Sequence, residues 1–136
     1  MHAQRLLHTS DFITGLIAGL ALENVHVLSL RNNRFDRAME RLFEDLKKEA
    51  TEQGLNIRFR IRTHPVHGDS VLIQQALYEA AQRDLVSLDN PEFQDIRLKI
   101  SSDEAPSYLN NVPGSPEMYQ RLAKLLIEYY QETAAS

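Results

Sequence analysis

Ile57-Arg58-Phe59-Arg60-Ile61-Arg62-Thr63 alternates without a break. Ile57, Phe59 and Ile61 share one side, and Arg58, Arg60 and Arg62 share the other. This period of two marks a strand with one face on a core and one face in water. Two amphipathic helical patterns flank it. Upstream, over 34–53, Phe35, Ala38, Met39, Leu42, Phe43, Leu46 and Ala50 form one apolar stripe, with charges opposite and Glu44 four residues before Lys48. Asn33 is the expected N-cap, aided by Asp36, and Gly54 is the expected left-handed stop. Downstream, Asp69 or Ser70 caps a third helix running to about Ser87, before the stop signal Asp89-Asn90-Pro91.

The same reading extends to both ends. Residues 1–9 read as a frayed lead-in, and 133–136 as a frayed tail. A first helix follows Ser10 and runs to Leu22, with Phe12, Ile13, Leu16, Ile17 and Leu20 at helical spacing. Gly15 and Gly19 stand on one face of it and permit close approach by the sheet or by a second subunit. Val25–Leu30 and Asp95–Ile100 are expected strands. Residues 101–115 read as irregular. Ser115-Pro116-Glu117 is a strong helix start, with a cap, a proline at the first helical position and an early acid.

The order α-β-α-β-α-β-α links each strand to the next through a helix, which suits right-handed parallel crossovers. The expectation is therefore a single α/β domain over 1–136: a small three-layer α/β/α arrangement around a short, mainly parallel three-stranded sheet. Val25–Leu30 is the most apolar strand and takes the centre, giving the order 2-1-3. The runner-up places all helices on one face and the arginines together on the other.

In open parallel sheets ligands bind beyond the carboxyl ends of the strands. Three loops qualify. In Arg31-Asn32-Asn33-Arg34, Arg31, Asn32 and Arg34 can hold a phosphate or carboxylate at a helix N-terminus. The second loop brings His64 and His67, with Asp69. The third brings Ser102 and Asp103 between Ser101 and Glu104. His64, His67 and Asp69 lack a specific metal-binding spacing, so no metal is assigned. A serine–His64–Asp103 hydrolase can be drawn, but no G-x-S-x-G motif supports it. Neither a dinucleotide fingerprint nor a P-loop is present.

Composition narrows the classes. No cysteine occurs, which rules out disulfides, thiolate metal sites and cysteine nucleophiles. The net charge of -4 argues against a surface that grips nucleic acid throughout. Phe12–Leu22 is too short for a membrane span, which needs about 20 apolar residues. The expected protein is thus cytoplasmic and binds a small phosphorylated or carboxylate ligand, a nucleotide among them, without membrane or nucleic acid. The alternative is a non-catalytic interaction or dimerisation module, using the Gly15/Gly19 helix or an exposed strand edge. A homodimer is expected. No cofactor and no reaction follow from the residues.

Overall fold

The computed structural model describes residues 5–30, 33–61, 70–88 and 95–135, the side chains of 133–135 excepted. Their order is β1 (Arg5–Leu7), α1 (Thr9–Leu22), β2 (Val27–Ser29), α2 (Arg34–Gln53), β3 (Leu55–Ile57), α3 (Val71–Gln82), β4 (Val86–Ser87), β5 (Asp95–Leu98), α4 (Ala105–Leu109) and α5 (Pro116–Ala135).

The general α/β character holds, and the single parallel sheet does not. The strands form two sheets. One is a parallel pair, β1 with β3, in which Leu7 faces Ile57. The other is antiparallel, in the order β2-β5-β4, with Leu28 opposite Ile96 and Val86 opposite Leu98. The expected 2-1-3 parallel sheet fails for a physical reason visible in the first strand. Val27 is exposed and Leu28 is buried, so this strand has one wet face and stands at an edge. The central strand is β5, whose Ile96 is buried and whose Arg97 is exposed. Two strands were not anticipated. Arg5–Leu7 lies in the supposed lead-in, and β4 lies inside the span given to the third helix. That helix stops at Gln82 because Asp84 adopts a left-handed conformation, φ 61, with no glycine to signal it. The Asp89-Asn90-Pro91 turn lies outside the described residues.

Helix α1 is the hub of the core. Every residue from Phe12 to Ala21 is buried. Ile13, Leu16, Ile17 and Leu20 meet Leu28, Ile96 and Leu98 of the antiparallel sheet, together with Leu77 of α3. The glycine face meets α5. A Cβ on Gly19 would lie 2.7 Å from the Tyr119 carbonyl oxygen and 3.2 Å from the Ala123 Cβ, and one on Gly15 would overlap the Tyr119 ring. The close approach read from the two glycines is therefore real, but its occupant is α5 of the same chain. That corrects the expectation of a sheet or second subunit on this face.

Helix α2 keeps its whole predicted stripe buried, from Phe35 to Ala50, and Gly54 closes it at φ 69. Its start differs from the expectation. Asn33 is left-handed, φ 56, and its side chain makes no capping bond. Asp36 instead accepts a hydrogen bond from the Ser70 backbone N–H at 2.7 Å, both groups being buried. Ser70 caps α3 by accepting from the Ile73 N–H at 3.3 Å. The first helix begins at Thr9, one residue before the expected Ser10 cap. Glu44 pairs with Lys47 at 2.9 Å rather than with Lys48.

Helices α2 and α5 run antiparallel along a seam whose polar contacts recur every fourth residue of α2. Arg41 meets Glu132 at 2.5 Å. Asp45 accepts from the Tyr129 hydroxyl at 2.5 Å. Glu49 meets Arg121 at 2.5 Å. Gln53 donates to the Ser115 hydroxyl at 3.1 Å and accepts from the Ser115 backbone N–H at 2.8 Å. Ser115 itself caps α5 by accepting from the Met118 N–H at 3.1 Å, as its sequence signature implies.

The Tyr129–Asp45 bond has a pH signature. The hydrogen bond to Asp45, followed by burial and the Asp45 charge, raises the phenol from 10.0 to about 12. Because the folded value lies above the unfolded one, the bond stabilises in full below about pH 10 and is lost as pH rises through about 12. Asp45→Asn should bring the Tyr129 midpoint back towards 10.0, read as tyrosinate absorbance in an alkaline titration. An unmoved midpoint would show that this bond does not form in solution.

Candidate binding groove

The chain beyond β3 carries the alternation that opened the sequence reading, as far as the described residues reach. Ile57 and Phe59 are half-buried, Ile61 is buried, and Arg58 and Arg60 are exposed. Phe59 is clasped on its inner side. Its ring stacks on Phe12 of α1, centroids 5.5 Å apart, and lies 5.8 Å from Phe43 of α2. Such aromatic pairs add to the burial of their area, and they fix the path of this segment beside α2.

The segment has a paired side and an open one. The Arg58 N–H donates to the Leu7 carbonyl at 2.9 Å, so Arg58 turns its backbone groups to β1. In an extended chain the next residue turns its own to the opposite edge. There, Phe59, Arg60 and Ile61 make no backbone hydrogen bond among the described residues.

Between this edge and α2 runs a groove of about 760 Å³. Its floor is apolar, from Phe43, Ile57, Phe59 and Ile61, and its rims carry Glu44, Lys47 and Arg60. The charges on the α2 rim are matched within the chain. Lys47 pairs with Glu44 and lies 5.6 Å over the Phe43 ring. Arg41 pairs with Glu132 and lies 4.1 Å over Tyr129. Arg58 and Arg60 form no ion pair among the described residues.

The ligand residues expected from the sequence distribute differently. Arg31, Asn32, His64 and His67 lie outside the described residues. Arg34 is engaged with Tyr130: its Nε donates to the Tyr130 carbonyl at 2.9 Å, and its guanidinium lies 3.7 Å over the Tyr130 ring. The Tyr130 hydroxyl in turn accepts from the Ser29 N–H at 2.7 Å, so Arg34 helps join α5 to the end of β2. Ser102 and Asp103 are exposed in the turn before α4. That turn is a reciprocal cap. The Ser101 N–H donates to Glu104 at 3.1 Å, and the Glu104 N–H donates to the Ser101 hydroxyl at 3.3 Å. The S-x-x-E spacing was a legible signal of this cap.

The structure does join the Asn33 and Ser70 ends of two predicted loops, through the Asp36–Ser70 bond. A smaller cavity of about 240 Å³ lies nearby, lined by Leu30, Asn33, Asp36, Gln74, Leu77, Tyr78 and Leu88. Among the described residues no group of three or more histidines and carboxylates is placed to hold a metal ion, and no helix is long and apolar enough to cross a membrane. The groove residues on α2 were missed from sequence because their approach to 57–61 is tertiary. The alternation of 57–63 was the one available signal.

The chain matches no protein-family model, no curated protein and no solved structure.

Proposed function

We propose that this chain is a non-catalytic protein-interaction module that captures an extended peptide by strand addition beside residues 57–61. The observation that carries the reading is the unpaired backbone of Phe59, Arg60 and Ile61 beside an apolar-floored groove. Main-chain hydrogen bonds along a sheet edge supply affinity, and alternate side-chain contacts supply specificity. The groove's volume falls within the range of ligand clefts, about 300–1,000 Å³. The other association surface considered, the Gly15/Gly19 face, is filled by α5.

Panning a random dodecapeptide library against the full chain tests the reading. Enriched peptides should slow amide hydrogen exchange at Phe59 and Ile61. Enrichment of peptides that protect only other segments would overturn it.

A second reading, binding of a small anion or nucleotide, is favoured by the exposed Arg58 and Arg60 guanidinium groups without a carboxylate partner among the described residues. Guanidinium groups of this kind suit phosphate oxygens. Thermal stabilisation by ATP or inorganic phosphate, abolished in an Arg58→Ala/Arg60→Ala variant, would favour it over peptide capture.

A further inference from the structure

Strand addition beside 57–61 also defines the guest, and the argument rests on that reading. A strand laid along this edge sends alternate side chains to opposite faces. On the inner face they enter the floor formed by Phe43, Ile57 and Phe59. On the outer face they lie beside Arg58 and Arg60. Other cations of the chain are matched: Arg41 by Glu132, Lys47 by Glu44, Lys99 by Asp84, and Arg121 by Glu49. Arg58 and Arg60 are exposed and form no ion pair among the described residues, although the chain is acidic overall, at net -4. Glu44, on the far rim, is already neutralised by Lys47.

We propose that the partner is an acidic peptide segment in which apolar residues alternate with aspartate or glutamate. Opposite charges facing each other across neighbouring strands stabilise the pairing, and like charges destabilise it. The same rule disfavours a second copy of this chain as the guest, because antiparallel pairing of two 57–61 segments sets arginine beside arginine. The edge therefore resists self-association while accepting a strand of opposite charge, a device by which sheet edges avoid indiscriminate pairing.

The enriched peptides provide the test, with an Arg58→Glu/Arg60→Glu variant alongside. Both side chains are exposed, so the variant should melt as the native protein does. Peptides that protect Phe59 and Ile61 should carry acids at alternate positions. Fluorescence anisotropy should show them binding the variant about tenfold more weakly. Lysine-substituted counterparts should show the reverse preference. Peptides that protect Phe59 and Ile61 without an acidic bias, or that bind the charge-reversed variant equally well, would overturn the acidic partner and leave strand addition standing. Failure of every enriched peptide to protect those amides would overturn both.

Discussion

Phe12→Ala should lower the unfolding free energy by about 3–5 kcal/mol, the range for truncating a buried aromatic side chain. Phe12 has no exposed surface, and it stacks on Phe59 at the inner side of the groove. Alanine removes the apolar area and leaves a void between α1 and the 57–61 segment, which the packed interior fills only in part. Urea denaturation would show the loss as a lower midpoint at unchanged slope. The effect should reach the site as well. Without its stacking partner Phe59 is held by Phe43 alone, so peptide affinity should fall more than in a variant truncated far from the groove. A loss below about 1 kcal/mol would mean that the Phe12–Phe59 stack is not a core contact.

Gly19→Ala should cost about 2 kcal/mol, against the gain of up to about 1 kcal/mol that alanine brings to a helix interior. The obstruction is a backbone atom, the Tyr119 carbonyl oxygen 2.7 Å from the new Cβ, so no rotamer change relieves it. One helix must move away from the other, and both are lined by fully buried side chains such as Leu16 and Leu122. Thermal or urea denaturation of the single variant checks the sign. Stabilisation would show that α1 and α5 have slack. Gly54 makes the contrast: nothing lies within 4 Å of its would-be Cβ, and its role is conformational, at φ 69.

What was legible in the sequence is what short stretches determine. The α2 stripe, the Gly54 stop, the Ser70 and Ser115 caps and the alternation through Ile61 all depend on neighbours a few residues away. Strand pairing does not. A three-residue strand such as Val27–Ser29 has no pattern that names its partner, and β4, two residues long, has no pattern at all. Asn33 shows the same limit at a single site. It is a good cap by residue type, yet Asp36 is drawn to the Ser70 N–H across 34 positions of chain, and the backbone at Asn33 turns left-handed. The candidate site divides in the same way. The arginine alternation was visible, whereas the groove exists only because α2 folds back beside it. Arg34, read as a ligand for an anion, found an aromatic ring and a carbonyl within its own fold.

The polar seam between α2 and α5 has a consequence beyond its strength. Exposed ion pairs contribute about 0–1 kcal/mol each, so these contacts add modestly to stability beside the buried leucines. Their spacing makes them act together. Residues 41, 45, 49 and 53 follow one helical row, and their partners descend from Glu132 to Ser115. If α5 slid by one turn, about 5.4 Å, apolar contacts would find substitutes among similar side chains, but every rung of this ladder would be mismatched at once. The seam is thus a vernier: it says little about how tightly the two helices hold and much about which of several greasy alignments they adopt.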